Sequence, residues 1–310
     1  PPPLLPPPLA ATSQAPEDSS VETVSKKDAM QFPLIGSAVL FGLYVVVKFV
    51  SKDYLDILIS CYFALLGTGG LFSAAQPPLT ELAGASTWHT WSFSIDYQKW
   101  KRRENREPLD FSFNALDVGL ALVSACTAGA YALTKKWWLN NLLAVAFSLQ
   151  GIEMISLGSF LIGCILLCGL FVYDVFWVFG TEVMVAVAKG LNAPIKLMFP
   201  KALGVTPLPF SMLGLGDIVI PGIFVALMLR FDAARGLPST PYFHANLAAY
   251  TLGLLATVGV MHFWDTAQPA LLYLVPACIG AALATAAVRG EVSVLLRYSE
   301  EKTEEKDKAE

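Results

Sequence analysis

Two aspartates stand in segments otherwise built almost entirely of apolar residues. Asp174 lies in Leu170-Phe171-Val172-Tyr173-Asp174-Val175-Phe176-Trp177, and Asp217 lies in Leu213-Gly214-Leu215-Gly216-Asp217-Ile218-Val219. A carboxylate in the middle of a membrane-spanning helix costs about 2.5–3.5 kcal/mol on the insertion scale, so it needs a partner or a function. Two carboxylates a few ångströms apart do not both ionise readily and so share a proton. One can then activate water as a general base while the other protonates or polarises a carbonyl. Such a pair titrates as a unit, and acid and base are not assigned separately. The chemistry that follows is hydrolysis of a peptide bond, which requires the pair to line a hydrated cavity. Taken by themselves, the two residues leave other readings open. A proton-coupled transporter would use them as a relay, and a non-proteolytic scaffold that binds membrane helices would use them as hydrogen-bond partners.

The elements that must position them are membrane spans. Of 310 residues, 55% are hydrophobic and 15% charged, and mean hydropathy is +0.56. A soluble domain carries about 25% charged residues, so this composition points to an all-α polytopic membrane protein. Stretches of about 20 apolar residues are long enough to span. Eight occur, at 33–50, 54–73, 115–134, 137–157, 160–181, 211–230, 243–263 and 268–288. Residues 74–114 read as a polar loop containing Lys99-Trp100-Lys101-Arg102-Arg103 and Arg106. Pro194, Pro200, Pro207 and Pro209 forbid a continuous helix across 182–210. The chain divides into a Pro-rich arm at 1–28 expected to be disordered, a membrane domain at 29–290 and a charged tail at 291–310.

The fifth and sixth spans run antiparallel, with Asp174 about seven residues before the loop that joins them and Asp217 about six after it. At 1.5 Å per residue both sit roughly 10 Å below one membrane face and can meet. Gly214 and Gly216 are expected to let the helix backbones approach closely. Pro221 cannot donate to the carbonyl of Asp217, which loosens the backbone there. The remaining ionisable groups in or beside spans (Lys48, Asp56, Asp117, Glu153, Arg230) lie near span ends and can snorkel.

Other function classes fit poorly. The basic residues form no stripe, which argues against nucleic-acid binding. Cys61, Cys126, Cys164, Cys168 and Cys278 all fall in apolar runs and read as buried hydrophobes. His89, His244 and His262 have no ligand spacing, so neither a metal nor an organic cofactor is expected. With eight spans both termini share a side, and that side collects fourteen Lys and Arg against seven opposite, which places both ends in the cytosol. Trp88, Trp91, Trp100, Trp137 and Trp138 near span ends read as interfacial anchors.

Tyr173-Asp174 followed by Gly214-Leu215-Gly216-Asp217 resembles the YD and GxGD pair of the presenilin and signal peptide peptidase group of intramembrane aspartyl proteases. Pro269-Ala270-Leu271 matches that group's third motif, PAL, which lies beside the active site. Longer stretches, Gly169 to Lys189, Ala193 to Pro200, Met212 to Asp232 and Gln268 to Gly280, are similar to the signal peptide peptidase branch, and similarity runs from about Phe32 to Val292. The resemblance implies a catalytic pair at Asp174 and Asp217 without a cofactor, supported by Tyr173, Gly214, Leu215, Gly216, Pro269, Ala270 and Leu271. It implies cleavage of membrane-spanning signal peptides and other type II-oriented helices in the endoplasmic reticulum, and it is compatible with a homo-oligomer. The family fold has nine spans and a cytosolic C-terminus. Its first span has no equivalent before Phe32, so the chain is expected to be truncated there. Lys308 and Lys306, third and fifth from the end, fit a cytosolic dilysine retrieval pattern.

Overall fold

The computed structural model describes residues 22–84, 90–95, 109–190, 193–201, 210–264 and 268–300. His89, the basic run at 99–106, Pro207, Pro209 and the terminal lysines lie outside the described residues. Strand β1 (Glu22–Val24) leads into helix α1 (Lys26–Phe49). The helix starts where Ser25 and Asp28 form a capping box, each side chain bonding the other's backbone N–H. Residues 22–28, read from composition as part of a disordered arm, are therefore strand, cap and first helical turn. Helix α2 (Lys52–Ala83) is longer than its expected span and continues through Pro77 and Pro78 to a Gly84 C-cap in the left-handed region, φ 60°. The loop expected from residue 74 thus begins ten residues later. Strands β2 (Trp91–Ile95) and β3 (Leu109–Phe113) pair antiparallel, and helix α3 (Ala115–Thr134) follows behind an Asn114–Asp117 capping box.

Helix α4 (Trp137–Met154) runs into strand β4 (Ile155–Leu157), which pairs in parallel with β1. Helix α5 (Phe160–Gly180) carries Asp174, and a short helix α6 (Val183–Gly190) follows it. Strands β5 (Lys196–Pro200) and β6 (Phe210–Gly214) form an antiparallel pair, and helix α7 (Gly216–Ala234) starts two residues after β6 ends. Helices α8 (Pro241–Trp264), α9 (Leu271–Arg289) and α10 (Val292–Leu296) complete the described chain. The charged tail expected from 291 begins with α10, whose Leu295 is fully buried, and Glu300 ion-pairs with Arg230.

The chain is an all-α polytopic membrane protein, with strands confined to two-stranded ribbons. Among the described residues six helices are long and apolar enough to cross a membrane: α1, α2, α3, α5, α8 and α9. Leu133 and Val288, 88% and 89% exposed, show the outer faces such helices turn to lipid. The other two expected spans, α4 and α7, miss that standard for a physical reason. Helix α4 carries Asn140, Asn141 and Gln150, and α7 carries Asp217, Arg230 and Asp232. Helix α7 is shielded instead by packing against α4, α5, α8 and α9, which buries Ile223, Phe224, Leu227, Met228 and Phe231.

Candidate active site

Asp174 sits six residues before the end of α5 and is 2% exposed. Its surroundings are supplied by α9. The backbone N–H of Leu271, the first residue of that helix, donates to Asp174 Oδ2 at 3.1 Å. A helix N-terminus offers unpaired N–H groups and a positive dipole end, both suited to a carboxylate. Pro269 and Ala270 are buried just before the helix begins, so the proline stands outside α9 and does not start it. Ala270 packs in one cluster with Leu213 of β6 and Leu274 of α9, which ties the Pro-Ala-Leu turn to the strand leading to Asp217.

Asp217 is not six residues into a helix. Residues 210–214 are extended, Leu215 is the N-cap, and Asp217 occupies the first turn of α7. The amide of Leu215 donates to Ile195 O at 3.0 Å, and Val219 N donates to Leu215 O at 2.8 Å, so Leu215 joins ribbon to helix. The Gly214 main chain faces the Asp217 carboxylate, which is partly exposed. Asp174 and Asp217 lie within electrostatic reach of each other, and Tyr173 lies within reach of both. The Tyr173 ring also rests on α1, where a Cβ added to Gly36 would lie 3.6 Å from it.

The two carboxylates come within electrostatic reach by a different route from the one spacing suggested. An extended strand rises about 3.3 Å per residue. Five residues of β6, paired with β5, therefore carry the chain to the start of α7. Non-helical backbone at membrane depth is tolerated where protein buries it or water reaches it. Part of this covering comes from α4. Asn141 bonds Met198 as a neighbouring strand would, with Oδ1 accepting from Met198 N and Nδ2 donating to Met198 O, both at 2.8 Å. Asn140, 1% exposed, donates to Lys196 O at 2.7 Å.

The close approach expected at Gly214 and Gly216 occurs elsewhere. A Cβ at Gly216 would meet nothing within 4 Å, and one at Gly214 would lie 3.3 Å from Asp217 Oδ2. Tight contacts against α7 are instead at Gly163, where a Cβ would come within 2.9 Å of Phe224, and at Gly222, where it would come within 2.6 Å of Ile152. These bring α5 and α4 respectively against α7. Sequence reading also missed Tyr250 on α8, which lies within electrostatic reach of the Asp217 carboxylate and packs with Leu213, Ala270 and Leu274. Nothing in the sequence separates it from the nine other tyrosines.

Fold and relatives together define a protease embedded in the membrane. The signal peptide peptidase family model matches residues 16–302. Human and mouse signal peptide peptidases are each 44% identical to the chain over 282 residues, 90% of this chain and 74% of the relative. Intramembrane protease 2 of Caenorhabditis elegans is 44% identical over 221 residues, 66% of this chain and 47% of that protein. The chain belongs to the signal peptide peptidase family.

Proposed function

We propose that the chain is an aspartic endopeptidase that hydrolyses peptide bonds inside membrane-spanning signal peptides and other type II-oriented helices. Asp174 and Asp217 are its catalytic pair and water is the nucleophile. The observation that carries this reading is the placement of two carboxylates from α5 and α7 within electrostatic reach, one buried and one partly exposed. One carboxyl takes a proton from the attacking water while the other gives a proton to the scissile carbonyl oxygen, and the tetrahedral intermediate then expels the amine. The Leu271 N–H and the first turn of α9 hold Asp174 in place, and Gly214 orients Asp217. Tyr173 lies close enough to adjust either acid. Of the polar residues that make α7 a poor lipid-facing helix, Asp217 serves this site.

A helical substrate hides its carbonyls in its own hydrogen bonds and must unwind before attack. Among the described residues β6 pairs only with β5. A substrate strand added along its other edge would be held extended, directly upstream of Asp217. The setting proposed is the endoplasmic reticulum membrane with both ends of this chain in the cytosol, on the lysine and arginine asymmetry and on Lys306 and Lys308.

Purified protein is expected to cleave a signal-peptide substrate and to be inhibited by a hydroxyl-containing transition-state analogue. Asp174→Asn and Asp217→Asn should each lower the rate by about 10²–10⁴-fold while the substrate helix still binds. Cleavage at the wild-type rate by Asp217→Asn would sink the assignment.

A further inference from the structure

Asn246 of α8 is a buried polar side chain that no motif contains. It is 0% exposed, and neither its amide nitrogen nor its carbonyl oxygen has a hydrogen-bond partner among the described residues. The amides of Asn140 and Asn141, by contrast, are bonded to the β5 backbone. A carboxamide offers two donors and an acceptor oxygen, and a buried group with that capacity is matched by a water molecule.

Its position gives this a purpose. Tyr242, Asn246 and Tyr250 recur every four residues, on one face of α8, the helix that packs against α7 and α9. Tyr242 OH donates to Glu291 Oε2 at 2.9 Å at one end of the row. Tyr250 at the other end lies within electrostatic reach of Asp217 and packs against Leu213 and Ala270 beside it. Successive Cα atoms in the row rise about 6 Å along the axis, so neighbouring side chains lie close enough for water to link them with hydrogen bonds of about 2.8 Å.

We propose that Asn246 is a buried water-binding site, the middle member of a hydrated row along α8 that joins the Glu291 cluster to Asp217. Its role rests on the reading of Asp217 as a hydrolytic acid. Each cleavage consumes one water, whose OH joins the carbonyl carbon and whose remaining hydrogen joins the amide nitrogen. A substrate laid along β6 covers the site from the ribbon side, and the row supplies water from behind.

Radiolytic hydroxyl footprinting marks side chains that touch ordered buried water. Wild type should be labelled at Tyr250, and Asn246→Leu should lose most of that label. Its kcat should fall about tenfold at unchanged KM, and Asn246→Ser, which keeps a polar group and leaves room, should restore both readouts. If Asn246→Leu no longer binds a transition-state analogue, Asn246→Ala is read in its place. Unchanged labelling of Tyr250, or an unchanged kcat, overturns the proposal even with Asp217→Asn inactive. Activity retained by Asp217→Asn removes the hydrolytic reading instead, and the footprint then stands or falls by itself.

Discussion

The amide of Leu271 and the carboxylate of Asp174, 97 positions apart in sequence, meet at 3.1 Å in the interior of the bundle. The contact gives the Pro-Ala-Leu turn a physical task, since it sets the first N–H of α9 against the acid on α5. An amide at position 174 still presents an oxygen to that N–H, whereas a leucine leaves the donor buried and unpaired. Asp174→Asn should therefore keep the wild-type melting temperature in detergent while losing cleavage. Asp174→Leu should lose cleavage and be destabilised by about 1–3 kcal/mol. Equal melting temperatures for the two variants would show that the hydrogen bond does not matter.

The two glycines of the Gly214-Leu215-Gly216-Asp217 stretch should respond differently to a methyl group. At Gly214 the added carbon meets Asp217 Oδ2 at 3.3 Å, so Gly214→Ala shifts the carboxylate and should reduce kcat by about 10²-fold. At Gly216 the added carbon enters open space, and Gly216→Ala should fold and cleave close to wild type. That open space adjoins Asp217, so Gly216→Leu is expected to raise KM with its melting temperature preserved. Activity measurements on the three variants decide the matter, and loss of folding in Gly216→Ala would contradict it.

Asn141 closes the outer edge of β5 with two bonds of 2.8 Å. Asn141→Leu leaves both Met198 backbone groups unpaired and should cost about 1–3 kcal/mol. Because β5 is paired to the strand that leads into Asp217, kcat should fall as well. Asn141→Asp keeps the acceptor for Met198 N but not the donor for Met198 O, and should lie between. Thermal melts and cleavage rates that put Asn141→Asp outside the other two would argue against the strand-like role.

Much of this arrangement was readable before folding, and the parts that were not share a cause. Helices α5, α8 and α9 follow from unbroken apolar runs, and Asp174 stood out because lipid makes a lone carboxylate expensive. Strand β6 was hidden. Phe210-Ser211-Met212-Leu213 is as apolar as the helix after it, and a short apolar run does not distinguish strand from helix. Gly214 and Gly216 marked the break, yet glycine in a membrane segment also signals helix packing, and that meaning belonged to Gly163 and Gly222. The Ser25–Asp28 capping box was legible as a helix start but lay inside a stretch whose composition suggested disorder. Asn140 and Asn141 carry no local signal of their role, because their partners are backbone atoms 56 and 57 positions away.

Glu291 gathers the ends of three helices, accepting from Tyr242 OH at 2.9 Å, Arg289 at 3.1 Å and Arg235 at 3.2 Å. The Tyr242 hydroxyl first, and the arginines with it, hold its carboxyl below the usual 4.5. A carboxylate whose pKa is lower folded than unfolded adds stability that is fully present above the unfolded value. That stability is lost as pH falls through the folded one. The melting temperature should therefore be insensitive to this group at neutral pH and should decline below about pH 4.5. In Glu291→Gln the decline should be shallower, since the titrating group is gone. Identical acid limbs for the two proteins would mean that Glu291 is not held by these partners.

The last expectation concerns the substrate. Hydrolysis needs an exposed carbonyl carbon, and each interior carbonyl of a helix is bonded to an N–H four residues on. Replacing a mid-span alanine by glycine weakens a helix by about 1 kcal/mol, and by proline about 3 kcal/mol. If unwinding precedes attack, such substitutions near the scissile bond should raise kcat/KM by up to about fivefold for glycine and more for proline. The same changes a full turn or more beyond the segment that lies along β6 should do little. A rate indifferent to helix breakers at every position would remove unwinding as the barrier, and with it the reason to hold substrate in extended form ahead of Asp217. A rate that rises only for breakers within the cleaved turn would tie the step to that short segment.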